Sequence, residues 1–70
     1  MSNPTTLGDA LPAECARVRK ILGHYREIGP AGAFGAHMIE QDLAAADRAM
    51  ISGSLPEMMT AYMRLKEIEA

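Results

Sequence analysis

Tryptophan is absent from this chain of 70 residues, and phenylalanine and cysteine occur once each. A single thiol excludes an internal disulfide. With only two histidines beside it, there is no Cys/His set of the kind that staples a zinc-bound mini-domain. Charge of one sign is equally scarce: seven Lys and Arg face nine Asp and Glu, a formal net of −2 with a pI near 5.5. That acidic balance argues against a general binder of polyanions. Long hydrophobic runs are missing as well, since none approaches the roughly 18 residues of a membrane span. The first ten residues lack the basic start and apolar middle of a signal peptide, and a reducing cytoplasmic setting is expected for the lone thiol. No segment alternates with period two, which excludes a sheet. What is present is an apolar content of 49%, too high for intrinsic disorder. A chain this short buries only roughly 60% of its unfolded surface, so its core needs close helix packing or self-association.

The start, Ser2-Asn3-Pro4-Thr5-Thr6-Leu7-Gly8, is small, polar and aperiodic, and residues 1–10 read as a mobile arm ahead of one all-α domain at 11–70. From Pro12 to Ile28 the apolar residues Leu11, Cys15, Val18, Leu22 and Tyr25 recur at spacings of four and three, with Ile21 and Ile28 beside them. That spacing predicts an amphipathic helix over 12–28, which Gly29-Pro30 ends. A second helix is expected over 31–52, closed by Gly53. Its wheel carries one apolar stripe of Ile39, Leu43, Ala46 and Met50, and another of Phe34, Met38, Ala45 and Ala49. A third helix is expected over 55–69, opened by the capping box Ser54-Leu55-Pro56-Glu57. It presents Met58, Ala61, Tyr62, Leu65 and Ile68 on one face, with Met59 and Met63 extending that face sideways, and Arg64 to Glu67 and Lys66 to Glu69 as i,i+3 pairs. Short connections make the whole a three-helix up-down-up arrangement with the longest helix in the middle.

Helices two and three carry more apolar arc than one intramolecular contact covers. The surplus of Phe34, Met38, Met59 and Met63 points to a helical homodimer in which the central helix pairs with its copy. Met58 joins those four as an expected interface anchor, because large flexible or aromatic side chains dominate interface cores. Asp42 falls between apolar stripes and needs a partner such as Arg17, Arg19 or Tyr62, or a wet edge.

The densest basic run is Arg17, Arg19, Lys20 and Arg26 with His24, all on the first helix. Arg19 and Arg26 flank one side of the apolar stripe while Arg17, Lys20 and His24 flank the other, so they make no single phosphate-facing ridge. Long side chains bordering a buried face are expected to meet acids on a neighbour, and Glu40, Asp42 and Asp47 supply them. Arg19 and Arg26 are accordingly read as a charged rim, with nucleic-acid contact as the alternative. His37 and Glu40 stand one turn apart, but no further ligands converge on them and no metal or cofactor is expected. Cys15 sits in the apolar stripe and reads as a core thiol. Gly29 to Gly35 reads G-x-x-G-x-x-G, which matches neither the P-loop nor the dinucleotide fingerprint, and is expected to let the first two helices approach closely.

Two resemblances attach to these residues. Ala45-Ala46, Ala49, Ser52-Gly53, Ala61-Tyr62 and Leu65 resemble a single helix-turn-helix unit of tetratricopeptide arrays in their placement of small and large side chains. Leu11-Pro12-Ala13-Glu14-Cys15, Gly29-Pro30-Ala31-Gly32 and the Ser52-Gly53 hairpin resemble small helical proteins of proteobacteria without an assigned activity, some of which accompany prophage genes. That resemblance implies an accessory protein that works by binding. The reading that follows is a non-catalytic intracellular module for protein interaction or regulation, acting through homodimerisation. A nucleic-acid-binding regulator using the basic first helix is the alternative.

Overall fold

A computed structural model describes residues 6–69; residues 1–5 of the expected arm lie outside them. Three helices follow in order: α1 at Leu7–Ile28, α2 at Ala33–Ser52 and α3 at Leu55–Lys66, with a 3-10 turn at Gly29–Gly32 between the first two. There is no strand among the described residues. Each helix touches the other two, in a body measuring 41 × 28 × 16 Å.

α1 begins five residues ahead of the expected start, so Leu7 to Ala10 are helical rather than part of an arm. Thr6 is the reason: its hydroxyl oxygen accepts from the Asp9 backbone N–H at 3.2 Å, closing the first turn. Pro12 then lies inside the helix. The carbonyl it leaves without an amide partner is that of exposed Gly8, where water can replace the lost bond. At the other end Gly29 adopts φ 84°, a conformation that favours glycine, and the 3-10 turn takes up residues 29 to 32, so α2 starts at Ala33 rather than 31.

α2 ends on Gly53 in the left-handed region at φ 73°, its N–H donating to the Ala49 carbonyl at 2.9 Å. Ser54 caps α3 by accepting from the Glu57 N–H, while the Glu57 carboxylate takes the Ser52 hydroxyl rather than closing the second half of the box. α3 stops at Lys66, short of 69. Arg64 turns to Asp42 on α2 and Lys66 lies over the Tyr62 ring, in place of the expected pairs within the helix.

Thirteen apolar residues make the core: Leu11, Cys15, Val18, Ile21 and Leu22 from α1, Ala36, Ile39, Leu43, Ala46 and Ala49 from α2, and Met58, Ala61 and Leu65 from α3. Four are alanines, so the helices must lie close for the large side chains to touch. Near the turn the approach is closest: Tyr25 lies across Gly32 and Gly35. A Cβ at Gly32 would overlap the Tyr25 carbonyl oxygen, and one at Gly35 would stand 2.5 Å from the Tyr25 ring.

α3 is held at its far end by Arg17. Its guanidinium donates to the carbonyls of Leu65 at 2.9 Å and Ile68 at 3.0 Å while its other N–H groups hold Glu14. The Leu65 carbonyl, which also accepts from the Ile68 N–H at 3.0 Å, lies in the last turn of α3 and Ile68 just beyond it, where a cation is favoured by the helix dipole. The end of α3 stands level with Arg17, so the rest of α1, towards Ile28, has α2 and the 3-10 turn for neighbours.

Gly32→Ala is expected to destabilise the fold by about 1–3 kcal/mol in urea denaturation. Gly23→Ala, where a Cβ meets nothing within 4 Å, should stabilise it by about 0.5–1 kcal/mol. Arg17→Ala should speed amide exchange selectively across the last turn of α3, and Arg17→Lys should not restore it, because an ammonium lacks the fork that spans two carbonyls and Glu14.

Candidate interaction surface

Of the five side chains expected to anchor an interface, four are exposed and one is not. Phe34 is 77% exposed, and Met38, Met59 and Met63 stand out from α2 and α3. Met58 is the correction. It is 8% exposed, packed among the core side chains, because α3 turns Met58, Ala61 and Leu65 together toward α1 and α2. It is therefore not an available anchor. Three further large apolar residues are exposed that the sequence reading did not mark: Ile28, Leu55 and Ile51, the last at 86%. Ile28 belongs by spacing to the apolar face of α1, and it is uncovered because α3 stops level with Arg17.

These side chains fall into two groups. Leu55, Met59 and Met63 succeed one another every fourth residue along α3 and so form one stripe. Phe34, Met38 and Ile51 stand on α2, which has α1 and α3 on two sides and its remaining side open. Between α2 and α3 runs an open cleft of about 670 Å³, with Ala44, Ala45 and Ala61 on its lining and Arg48, Glu57 and Arg64 among its polar residues.

The charged side chains border the helix contacts. Arg19 meets Asp47 at 3.7 Å and Arg26 meets Glu40, both from α1 to α2, and Arg64 of α3 meets Asp42 at 3.3 Å. Asp42 thus finds its partner on α3 and not in Arg17, Arg19 or Tyr62. Arg64, 22 residues further along the chain, reaches Asp42 only because α3 folds back beside α2. All three acids of α2 are engaged this way. Exposed ion pairs of this kind contribute little stability each, typically about 0–1 kcal/mol. Their effect is on orientation. His37 is exposed, 3.1 Å from Gln41, and does not face Glu40.

No group of three His, Cys, Asp or Glu side chains able to hold a metal ion occurs among the described residues. No buried side-chain nitrogen or oxygen lacks a hydrogen-bond partner there, and no helix among them is long and apolar enough to cross a membrane. Cys15 is 1% exposed, and burial pushes its thiol above the ordinary value of 9.0. A core thiol of this kind packs as a small hydrophobe.

No family model matches the chain, and neither a curated protein nor a solved structure does.

Cys15 supplies a readout of the fold. A thiol reagent should label it at the rate at which the native chain opens, far below the rate in denaturant. Because its folded pKa lies above its unfolded one, the folded chain holds the proton more tightly. The linked stability is present below pH 9.0 and is lost as the pH rises from there through the folded value. Denaturation midpoints measured from pH 7 to 10 are therefore expected to fall at the alkaline end, and Cys15→Ala should remove that component.

Proposed function

We propose that this chain is a small non-catalytic helical protein that works by binding other proteins, a second copy of itself included, as an interaction or regulatory module. The observation that carries the reading is the exposure of Phe34, Met38, Ile51, Leu55, Met59 and Met63 on the outer sides of two adjacent helices. Single exposed apolar residues are ordinary, but rows of them on neighbouring elements mark interaction surfaces. Seven large apolar side chains stand exposed against thirteen residues in the core, so a large part of the chain's hydrophobic driving force is unused by its own fold. Association is the way to use it, and it supplies the extra burial that a chain of this size needs.

The cations of α1 favour this reading over nucleic-acid binding. Arg19 and Arg26 each face an acid of α2, and Arg17 faces Glu14 and the end of α3. A phosphate backbone would have to compete with those carboxylates for each guanidinium. The arginines then act at the rim, orienting a partner that binds through apolar side chains.

Light-scattering mass measured over a concentration series tests the reading. The expected result is a two-chain mass at high concentration that falls toward one chain on dilution. A one-chain mass at every concentration overturns self-association.

A further inference from the structure

Four charged side chains line the cleft between α2 and α3: Asp42, Arg48, Glu57 and Arg64. Three of them are engaged within the chain. Arg64 donates from Nε to the Asp42 carboxylate at 3.3 Å. Glu57 accepts the Ser52 hydroxyl at 3.2 Å and stands in the first turn of α3, where the helix dipole favours an acid. Arg48 is the exception, since it enters no ion pair among the described residues. Arg64 also has donors to spare: a guanidinium carries five N–H groups, and only its Nε is bonded to Asp42.

We propose that this cleft binds a small organic oxyanion, a carboxylate or phosphate group on a compact apolar body, with Arg48 as its main contact and Arg64 as the second. Both walls belong to one chain, so the site does not rest on the self-association proposed above.

The shape suits such a ligand. The cleft of about 670 Å³ falls within the roughly 300–1,000 Å³ of small-molecule sites. Ala44, Ala45 and Ala61 are short and apolar on its lining, which leaves room for the body of the ligand and gives it a surface to cover. Arg48 comes from the α2 wall and Arg64 from the α3 wall. The bond to Asp42 sets Arg64 level with that residue, and Arg48 lies further along α2 by about 9 Å of helix axis. Thr60, one turn before Arg64, brings a hydroxyl to the α3 wall between those levels. Hydrogen bonds from a guanidinium to a carboxylate or phosphate are roughly twice as strong as neutral ones.

The balance of charge selects the sign. The formal charges of the four side chains sum to zero, but the pair of Asp42 and Arg64 cancels within itself. Glu57 is offset in part by the N-terminus of α3, which carries roughly half a positive charge. The charge of Arg48 is left without an equal opposite. A cation entering the cleft would meet that charge with both carboxylates already bonded, whereas an oxyanion supplies the missing acceptor.

Nuclear magnetic resonance titration at constant ionic strength tests the site, with benzoate, its neutral counterpart benzamide, and inorganic phosphate as probes. The expected result is a saturable shift of amides confined to the cleft walls, over residues 41–48 and 57–64, with benzoate or phosphate and not with benzamide. Saturation by benzoate alone assigns the carboxylate with its apolar body, and saturation by phosphate alone assigns the phosphate. Arg48→Gln should weaken binding about tenfold or more with helix content unchanged, because Arg48 has no ion pair in its own chain to lose. Lys20→Gln, which removes an exposed cation of α1 outside the cleft, should leave binding as it is. Equal shifts with benzoate and benzamide overturn the oxyanion. Binding that survives Arg48→Gln, or that Lys20→Gln weakens as much, overturns the cleft as its place, and the absence of a saturable shift with any probe overturns the proposal as a whole.

Discussion

Where Tyr25 lies across Gly32 and Gly35, the backbones of α1 and α2 come so close that a single methyl group at Gly32 would meet a carbonyl oxygen. That approach sets the spacing of the two long helices, and everything below it is scaled to match. Ala36, Ala46 and Ala49 can serve as core residues of α2 only because α1 is near enough for Leu11, Val18 and Leu22 to reach across them. A larger separation would leave voids between short side chains, each costing dispersion contacts that a core of this size cannot replace. The turn that brings the helices together is built from residues suited to it, with Gly29 at φ 84° followed by Pro30 in the 3-10 segment.

The arginines do a second job at the edges of this contact. Arg19, Arg26 and Arg64 reach α2 from the helices on either side and engage Asp47, Glu40 and Asp42. Exposed pairs add little energy, and these three border the sides of α2 that face α1 and α3. The open side of α2 is thereby stripped of acids and presents Phe34, Gln41, Ala44 and Ile51 outward. Arg17 does the corresponding work for α3, donating to the Leu65 and Ile68 carbonyls at its end. The short third helix covers only part of α1, and the uncovered Ile28 follows from its length.

The helices themselves are readable from the chain. Apolar spacing marks all three, Gly53 marks the end of α2, and Ser54 marks the start of α3, because periodicity and capping are local properties set by neighbours a few residues away. The errors at the ends are also local: Thr6 as a cap outweighed Pro12 as a start, and the 3-10 turn displaced the first residues of α2. Of the residues expected to anchor an interface, Phe34, Met38, Met59 and Met63 stand exposed, whereas Met58 is in the core, one residue from Met59 but 100° away around the helix. A wheel alone gives the width of an apolar face; which edge of it meets a neighbour depends on where the neighbour lies.

The sequence by itself determined the all-α class, the number of helices, their order and the excess of apolar surface over what one small core can hold, since these follow from spacing, turn residues and chain length. Only the tertiary structure decided which edge of each face is covered. Ile51 is isolated in the sequence and is placed on the open side of α2, 86% exposed, only when Leu43 and Ala46 are turned inward. Asp42 has no arginine near it along the chain and finds Arg64 only when α3 returns beside α2. Arg17 reads as a surface cation until the end of another helix is brought against it. In each case the deciding contact joins residues far apart in the chain, and such contacts depend on the relative placement of whole helices, which local spacing does not encode.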